Sequence, residues 1–419
     1  MISSALSRSS RVVVSSRIVE VFRLFIATLL CAAMAFGQST GAGAPETHGV
    51  AYSGAIPYEG SVADALAAAA AGTTIPMASY SFTATKDGLT YTDVIVGSSP
   101  FATKKPTTKI NVLIIPVIVE IGSTTFDPTV DDTCIAPNIT PLAAFQQSPI
   151  LQKVVFDGGS GSGHASKING VDVGKATYPD AFRRAEFWKD VKGTKYHTDF
   201  VVTTLSPWTI TASEVQSLGG GSVLSSSCAQ LGVLPTNSFQ LYIQNTVIPG
   251  IPAITPTTFP LFLMKDVVTT TSSALNCLSF CEIGYHAAFG SPVQTYAVSE
   301  YDSTKNFWNA PGITNISILA HEVGEWMDDP LVTNPTPTWG NIGQVSGCQT
   351  NWEVGDPLTG TDFPAITMSN GVTYDPQELA FWSWYYNAEH TASIGAGGKF
   401  SSNGTFGGPS KACPPGGTY

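Results

Sequence analysis

The pentapeptide His321-Glu322-Val323-Gly324-Glu325 has residue types at a spacing that can do metal chemistry. Residues four apart on a helix share a face, so His321 and Glu325 can offer two ligands to one ion, about 40° apart around the axis. Glu322, between them, is placed to take a proton from an attacking water. The pattern is HExxH with Glu in place of the second His. A carboxylate is an acceptable zinc ligand; it adds negative charge and is less selective than imidazole.

A third ligand is required. Downstream, Asn351-Trp352-Glu353-Val354-Gly355-Asp356 lies in a Gly/Pro-rich loop. The expected set is His321, Glu325 and Glu353 on the metal, with Asp356 behind them orienting a ligand. Asp328 and Asp329 are the alternative ligands. Asp329 precedes Pro330, which pushes it out of helical geometry, so it is expected to cap or brace the turn.

These residues need a helix to carry them. Asn315–Met327 is the strongest helix pattern in the chain, with Asn315 as cap and Pro330 as stop. Ile316, Leu319, Ala320, Val323 and Met327 fall on one face, and His321 and Glu325 on the opposite one. The competing reading is an ordinary amphipathic surface helix.

Further helices are expected at Ser61–Ala71, Thr140–Val155 and Tyr178–Val191. Strands are expected at Tyr91–Val96, Lys109–Ile121, Gln240–Val247 and Thr295–Ser299. Pro116 within the second strand predicts an edge position or a bulge. Residues 38–60 read as a flexible leader, and Gly158–Gly163 as a glycine-rich loop without the flanks of a phosphate cradle. Arg183, Arg184, Lys189, Lys192 and Lys195 read as a solvated helix face.

Residues 1–37 read as a secretory signal. Arg8, Arg11, Arg17 and Arg23 precede the apolar run Leu24–Phe36, and Ala33-Met34-Ala35 offers a cleavage pattern. The run is shorter than the roughly 20 apolar residues a spanning helix needs. Six cysteines remain after it: Cys134, Cys228, Cys277, Cys281, Cys348 and Cys413. An even number in an exported chain predicts disulfides, without fixing their connectivity. Cys277, Cys281 and His286 are alternatively a separate metal site.

The charge distribution supports a cation. Charged residues are 12% of the 419, against roughly 25% in ordinary soluble domains, and the net charge is −11. That balance argues against nucleic acid as a partner. Without residues 1–37, 16 bases face 30 acids. From Asn306 to Gly398 there is no Lys or Arg, while ten acids are present. Clustered carboxylates without local bases repel one another unless solvated, protonated or joined by a cation.

HEVGEWMDDP followed by EVGD resembles the HExxE…(D/N)P…E(I/V)GD pattern of secreted zincin-like proteins of bacteria and fungi. It is also similar, more distantly, to the phosphate-induced, EXORDIUM-like secreted proteins of plants. Cys277-Leu-Ser-Phe-Cys281 and His286 are similar to a CxxxC…H segment of those plant proteins. The resemblance spans 277–413 and implies a zincin-like fold and metallopeptidase activity. His286 reads either as a hydrogen-bond donor lining the active-site cleft or as a satisfied structural histidine. Pro357 stands where the pattern often leads to a Cys.

The expected architecture is α+β: a zincin-like mixed sheet with an active-site helix, preceded by a β-rich N-terminal region. Its divisions are a signal peptide (1–37), a leader and N-terminal segment (38–105), and a zincin-like domain (106–419) with the metal segment at 306–398. The expected function is a secreted zinc hydrolase acting on peptide or protein. The alternatives are a non-catalytic secreted module binding cell-wall sugar or a surface partner, and a fold braced by a structural cation. Two weaker signals stand beside these. Phe126–Asp132 is acidic enough for calcium but lacks the EF-hand pattern. The aromatic stretch Gln377–Asn387 reads as a ligand-binding wall or as core.

Overall fold

The computed structural model describes residues 49–84, 87–156, 166–168, 170–381, 401–402 and 413. All lie in one compact unit, Glu46–Tyr419. The signal-like segment, the Gly158–Gly163 loop and residues 382–387 of the aromatic stretch lie outside the described residues.

The strands in chain order are β1 (Ala51–Ile56), β2 (Met77–Thr83), β3 (Thr90–Val96), β4 (Thr107–Ile121), β5 (Thr124–Phe126), β6 (Ser166–Ile168) and β7 (Val171–Gly174). Then follow β8 (His197–Thr204), β9 (Trp208–Ile210), β10 (Ser222–Leu224), β11 (Leu231–Pro235), β12 (Thr258–Lys265) and β13 (Val267–Thr270). The last are β14 (Cys281–Phe289), β15 (Gln294–Tyr301), β16 (Pro335–Ile342), β17 (Val345–Asn351), β18 (Ile366–Thr367) and β19 (Thr373–Tyr374). The helices are α1 (Val62–Ala70), α2 (Pro141–Gln146), α3 (Tyr178–Glu186), α4 (Trp188–Val191), α5 (Ala212–Ser217), α6 (Thr236–Tyr242), α7 (Ile248–Gly250) and α8 (Ser317–Asp328).

Eleven strands form one mixed sheet ordered β10-β11-β13-β14-β15-β12-β4-β5, with β1 on β14 and both β8 and β9 on β4. The architecture is mixed α/β, mostly strand. β4 shows why its sequence is apolar without interruption. Ile110, Val112 and Ile114 enter the core on one face, and Leu113, Ile115, Val117 and Val119 the core on the other. A strand buried on both faces has no polar alternation.

Several sequence expectations need correction. Pro116 is not at a sheet edge. On one side β12 pairs along β4 through Pro116; on the other, β8 ends at Ile114 and β9 begins at Val117. Proline falls in the gap between those two partners. Gln240–Val247 is helical, through α6 and a π turn at Ile243–Val247. Phe239, Ile243 and Val247 recur every fourth residue into the core, and this period wins over the local β-propensity. The helix expected at Thr140–Val155 ends at Gln146, because Pro149 disfavours helical geometry at Ser148. Residues 51–56, read as flexible leader, pair in parallel with β14.

Arg183 and Arg184 are buried, whereas Lys189, Lys192 and Lys195 are exposed. Arg183 reaches into the base-free segment, 2.9 Å from Asp328. Three disulfides, Cys134–Cys228, Cys277–Cys281 and Cys348–Cys413, tie the described residues. The 277–281 bond removes both thiolates from any metal site with His286. No helix among the described residues is long and apolar enough to cross a membrane.

Candidate metal centre

α8 lies against β14, β15 and β3. Its apolar face enters the main core through Ile316, Leu319, Ala320, Val323 and Met327, as the periodicity predicts. Trp326 stacks on Phe259 with centroids 3.6 Å apart and donates from Nε1 to Thr295 Oγ1. The expected cap differs. Asn315 has φ +37°, and its Oδ1 accepts from the N–H of Ile316 and of Asp375. Asn315 thus joins the start of α8 to a later segment.

The polar face of α8 does not meet solvent. His286, His321, Glu322, Glu325, Glu353 and Asp356 are each no more than 4% exposed. The sheet covers this face through β14, which carries His286. The loop 352–358 covers it as well. Gly355 permits that approach, since a Cβ there would stand 2.6 Å from the His321 ring. Glu325 Oε1 fastens the loop by accepting from the N–H groups of Gly355 (3.0 Å) and Asp356 (3.2 Å).

Two overlapping sets of donor atoms result. His321, Glu325 and Asp356 bring ligand atoms within 4.8 Å of one another, and so do His286, Glu322 and Glu325. His321 Nε2 stands 3.0 Å from Glu325 Oε1 and 3.6 Å from Asp356 Oδ1. His286 Nδ1 is 3.3 Å from Glu322 Oε2, and its Nε2 is 3.8 Å from Glu353 Oε2. Asp356, expected behind the ligands, therefore stands with His321 and Glu325, while Glu353, expected as the third ligand, stands beside His286. Asp328 points to Arg183. Asp329 accepts from the N–H groups of Thr333 and Asn334, bracing the turn after α8.

Three residues that sequence reasoning gave no role set the geometry. Gln377 Oε1 lies 3.1 Å from His321 Nδ1, which turns Nε2 toward the carboxylates, and its Nε2 donates to Gly355 O. Gln344 and Gln349 donate to the two oxygens of Asp356, and Gln344 also holds the N–H and C=O of Ser53 on β1. Isolated glutamines, Gln349 on β17 and the other two outside the strands, carry no distinguishing spacing. Tyr52 on β1 is a further group near the acids. Tyr52 keeps 39% of its surface exposed; partial burial and the charges of Asp356, Glu353 and Glu325 raise its pKa, leaving a neutral O–H donor.

Burial opposes charge throughout the cluster. It pushes Glu322 and Glu353 far above the ordinary carboxylate range, and the charge of Glu325 adds to both. The same two causes raise Asp356 to about 6. Burial works against ionised Glu325 too, but His321, His286 and the Gly355 N–H hold its pKa below the usual value. Burial opposes charge on His321, yet Glu325 and Asp356 raise it well above normal. His286 falls to about 4 because burial prevails.

The donor set fits a cation. His286 Nε2, His321 Nε2, Glu322 Oε1 and Glu353 Oε2 are buried, and none has a partner in hydrogen-bonding geometry, although carboxylates stand close. Bonds of about 2.0–2.1 Å to a tetrahedral ion put ligand atoms about 3.3 Å apart. The 3.0 and 3.6 Å separations around His321 Nε2 bracket that value.

The calcium reading of Phe126–Asp132 finds two of its three carboxylates engaged, while Asp131 is exposed. Asp127 Oδ1 accepts from Thr129, and Asp132 pairs with Lys265 and Ser303. In the aromatic stretch, Leu379, Ala380 and Phe381 are buried in the core. Comparisons with protein-family models, with curated proteins and with solved structures return no match for this chain.

Proposed function

We propose that this chain is an exported, zincin-like, metal-dependent hydrolase with peptides as its substrate class. The observation that carries the reading is the pair of donor sets sharing Glu325, with four buried donor atoms left without hydrogen bonds. Buried polar atoms are normally satisfied; His321 Nε2, the exception within the proposed ligand set, and the three beside it on His286, Glu322 and Glu353 point to a cation in this cluster. His321, Glu325 and Asp356 would hold the ion, zinc by its mixed nitrogen and oxygen donors. It would polarise a carbonyl and supply positive charge for the transition state.

The chain's own groups divide the remaining work. Gln377 orients His321, while Gln344 and Gln349 orient Asp356. Glu322 is the proton acceptor for the attacking water. Burial alone keeps it protonated, and positive charge nearby lowers its pKa toward the range a base needs. Tyr52 and His286 are neutral donors on the β1–β14 side. The three disulfides support export, since such bonds persist in oxidising compartments.

The test is a peptide-library assay of zinc-loaded wild type and Glu322→Gln. The variant should keep its metal and lose turnover. Wild type that binds zinc yet cleaves nothing would contradict the hydrolase. The second reading, a structural cation, is favoured by the near-complete burial of all six side chains. Under it, chelation lowers the melting temperature and Glu322→Gln changes no activity.

A further inference from the structure

A second buried acidic group lies away from α8. Glu300 is near the end of β15, Asp302 follows that strand, and Asp266 joins β12 to β13. Their carboxylates bring ligand atoms within 4.8 Å of one another. Asp266 and Glu300 are fully buried, and Asp302 is 3% exposed.

Two of the three are oriented by the surrounding chain. Asp266 Oδ1 accepts from the Ser303 N–H at 2.6 Å, and its Oδ2 from the Ser303 hydroxyl at 2.7 Å. Asp302 Oδ1 accepts from the N–H and hydroxyl of Thr304. Glu300 differs, because neither of its carboxylate oxygens has a hydrogen-bond partner. Protonation does not resolve this. A neutral carboxylic acid still carries an O–H that needs an acceptor.

The local base does not balance the cluster. Lys265 Nζ is 3.0 Å from Asp132 Oδ2 and 3.7 Å from Asp266 Oδ2, so one charge is shared with a fourth carboxylate. Burial, compounded by mutual repulsion, lifts Asp266 to about 8 and raises Glu300 well above the ordinary carboxylate range. Burial also lifts Asp302 to about 6.

We propose that Asp266, Glu300 and Asp302 form a binding site for a hard divalent cation, calcium by its all-oxygen donors. Carboxylates without nitrogen or sulfur suit calcium, and flexible coordination completed by backbone carbonyls and water is its usual habit. The site is structural. Asp302 exchanges backbone hydrogen bonds with Asn315, the residue that sets the start of α8. Thr304 O accepts from the Cys228 N–H, beside the Cys134–Cys228 disulfide. Calcium here ties the ends of β12 and β15 to both. The inference does not depend on the α8 centre.

The test is calcium titration of chelator-treated full-length protein, read by melting temperature and by calorimetric binding, with wild type and Glu300→Gln. Wild type should show a saturable rise in melting temperature and one calcium per chain. Glu300→Gln is nearly isosteric and removes a carboxyl whose ionised form burial disfavours, so its calcium-free form should melt higher than wild type. It should bind calcium at least about tenfold more weakly. If that variant is not recovered folded, Asp302→Asn makes the same comparison. Wild type that neither binds nor responds to millimolar calcium overturns the proposal. So does a folded variant that responds as wild type does.

Discussion

His321 Nε2 and Glu325 Oε1 stand 3.0 Å apart, one turn along α8, without forming a hydrogen bond. The carboxylate oxygen accepts instead from two N–H groups of the 353–356 loop, while His321 is turned by Gln377. Helix, loop and glutamine are thus fastened to one another around one point. Convergence of this kind gives a centre its rigidity.

Glu322→Gln should separate binding from chemistry. The amide keeps the volume and loses the proton-accepting oxygen, so turnover should fall about 10²–10⁴-fold. Zinc content measured by mass spectrometry should remain at the wild-type level. Equal loss of metal and activity would place Glu322 among the ligands instead.

Gln377→Leu should weaken metal binding without touching a donor atom. Removing the partner of a ligating histidine costs about 10–100-fold in affinity. A chelator-competition titration reads this directly, and unchanged affinity would show that His321 needs no orientation from Gln377.

Arg183→Met should destabilise the protein strongly. The guanidinium is buried, 2.9 Å from Asp328, and donates to the backbone carbonyls of Val96 and Met327. Breaking a buried pair by removing one partner costs about 3–5 kcal/mol. Denaturant unfolding measures it, and a change under 1 kcal/mol would indicate an exposed, screened pair.

Asp93 on β3 belongs to none of the donor sets and gives a pH test. It is buried, neither oxygen has a partner, and burial with the nearby charge of Asp329 raises its pKa to about 9. From its ordinary 3.8 up to that value, the folded chain holds a proton that the unfolded chain has released. Stability therefore falls as pH rises through this window and levels above it. Asp93→Asn should raise the melting temperature by a few degrees at pH 8 and much less at pH 4. An equal change at both pH values would exclude this linkage.

The α8 face was legible because His321, Glu325 and five apolar residues obey one period. The strand at Lys109–Ile121 was legible because burial on both faces leaves a continuous β-branched run. The exchange between Glu353 and Asp356 was not, because a loop has no period to say which carboxylate turns inward. Burial of Arg183 was equally hidden: its partner Asp328 is far along the chain, and a basic cluster on a short helix reads as solvated. The acids of the second cluster are spread from Asp266 to Asp302, and only the pairing of β12 with β15 brings them together.

The central claim is that a cation sits among His321, Glu325 and Asp356. Its most direct measurement is zinc per chain, by mass spectrometry after zinc loading and exhaustive dialysis, for wild type, Asp356→Asn and Glu353→Gln. Wild type should retain zinc, Asp356→Asn should lose it, and Glu353→Gln should keep it. Wild-type protein that retains no zinc, or an Asp356→Asn variant that holds it as tightly, would contradict the account.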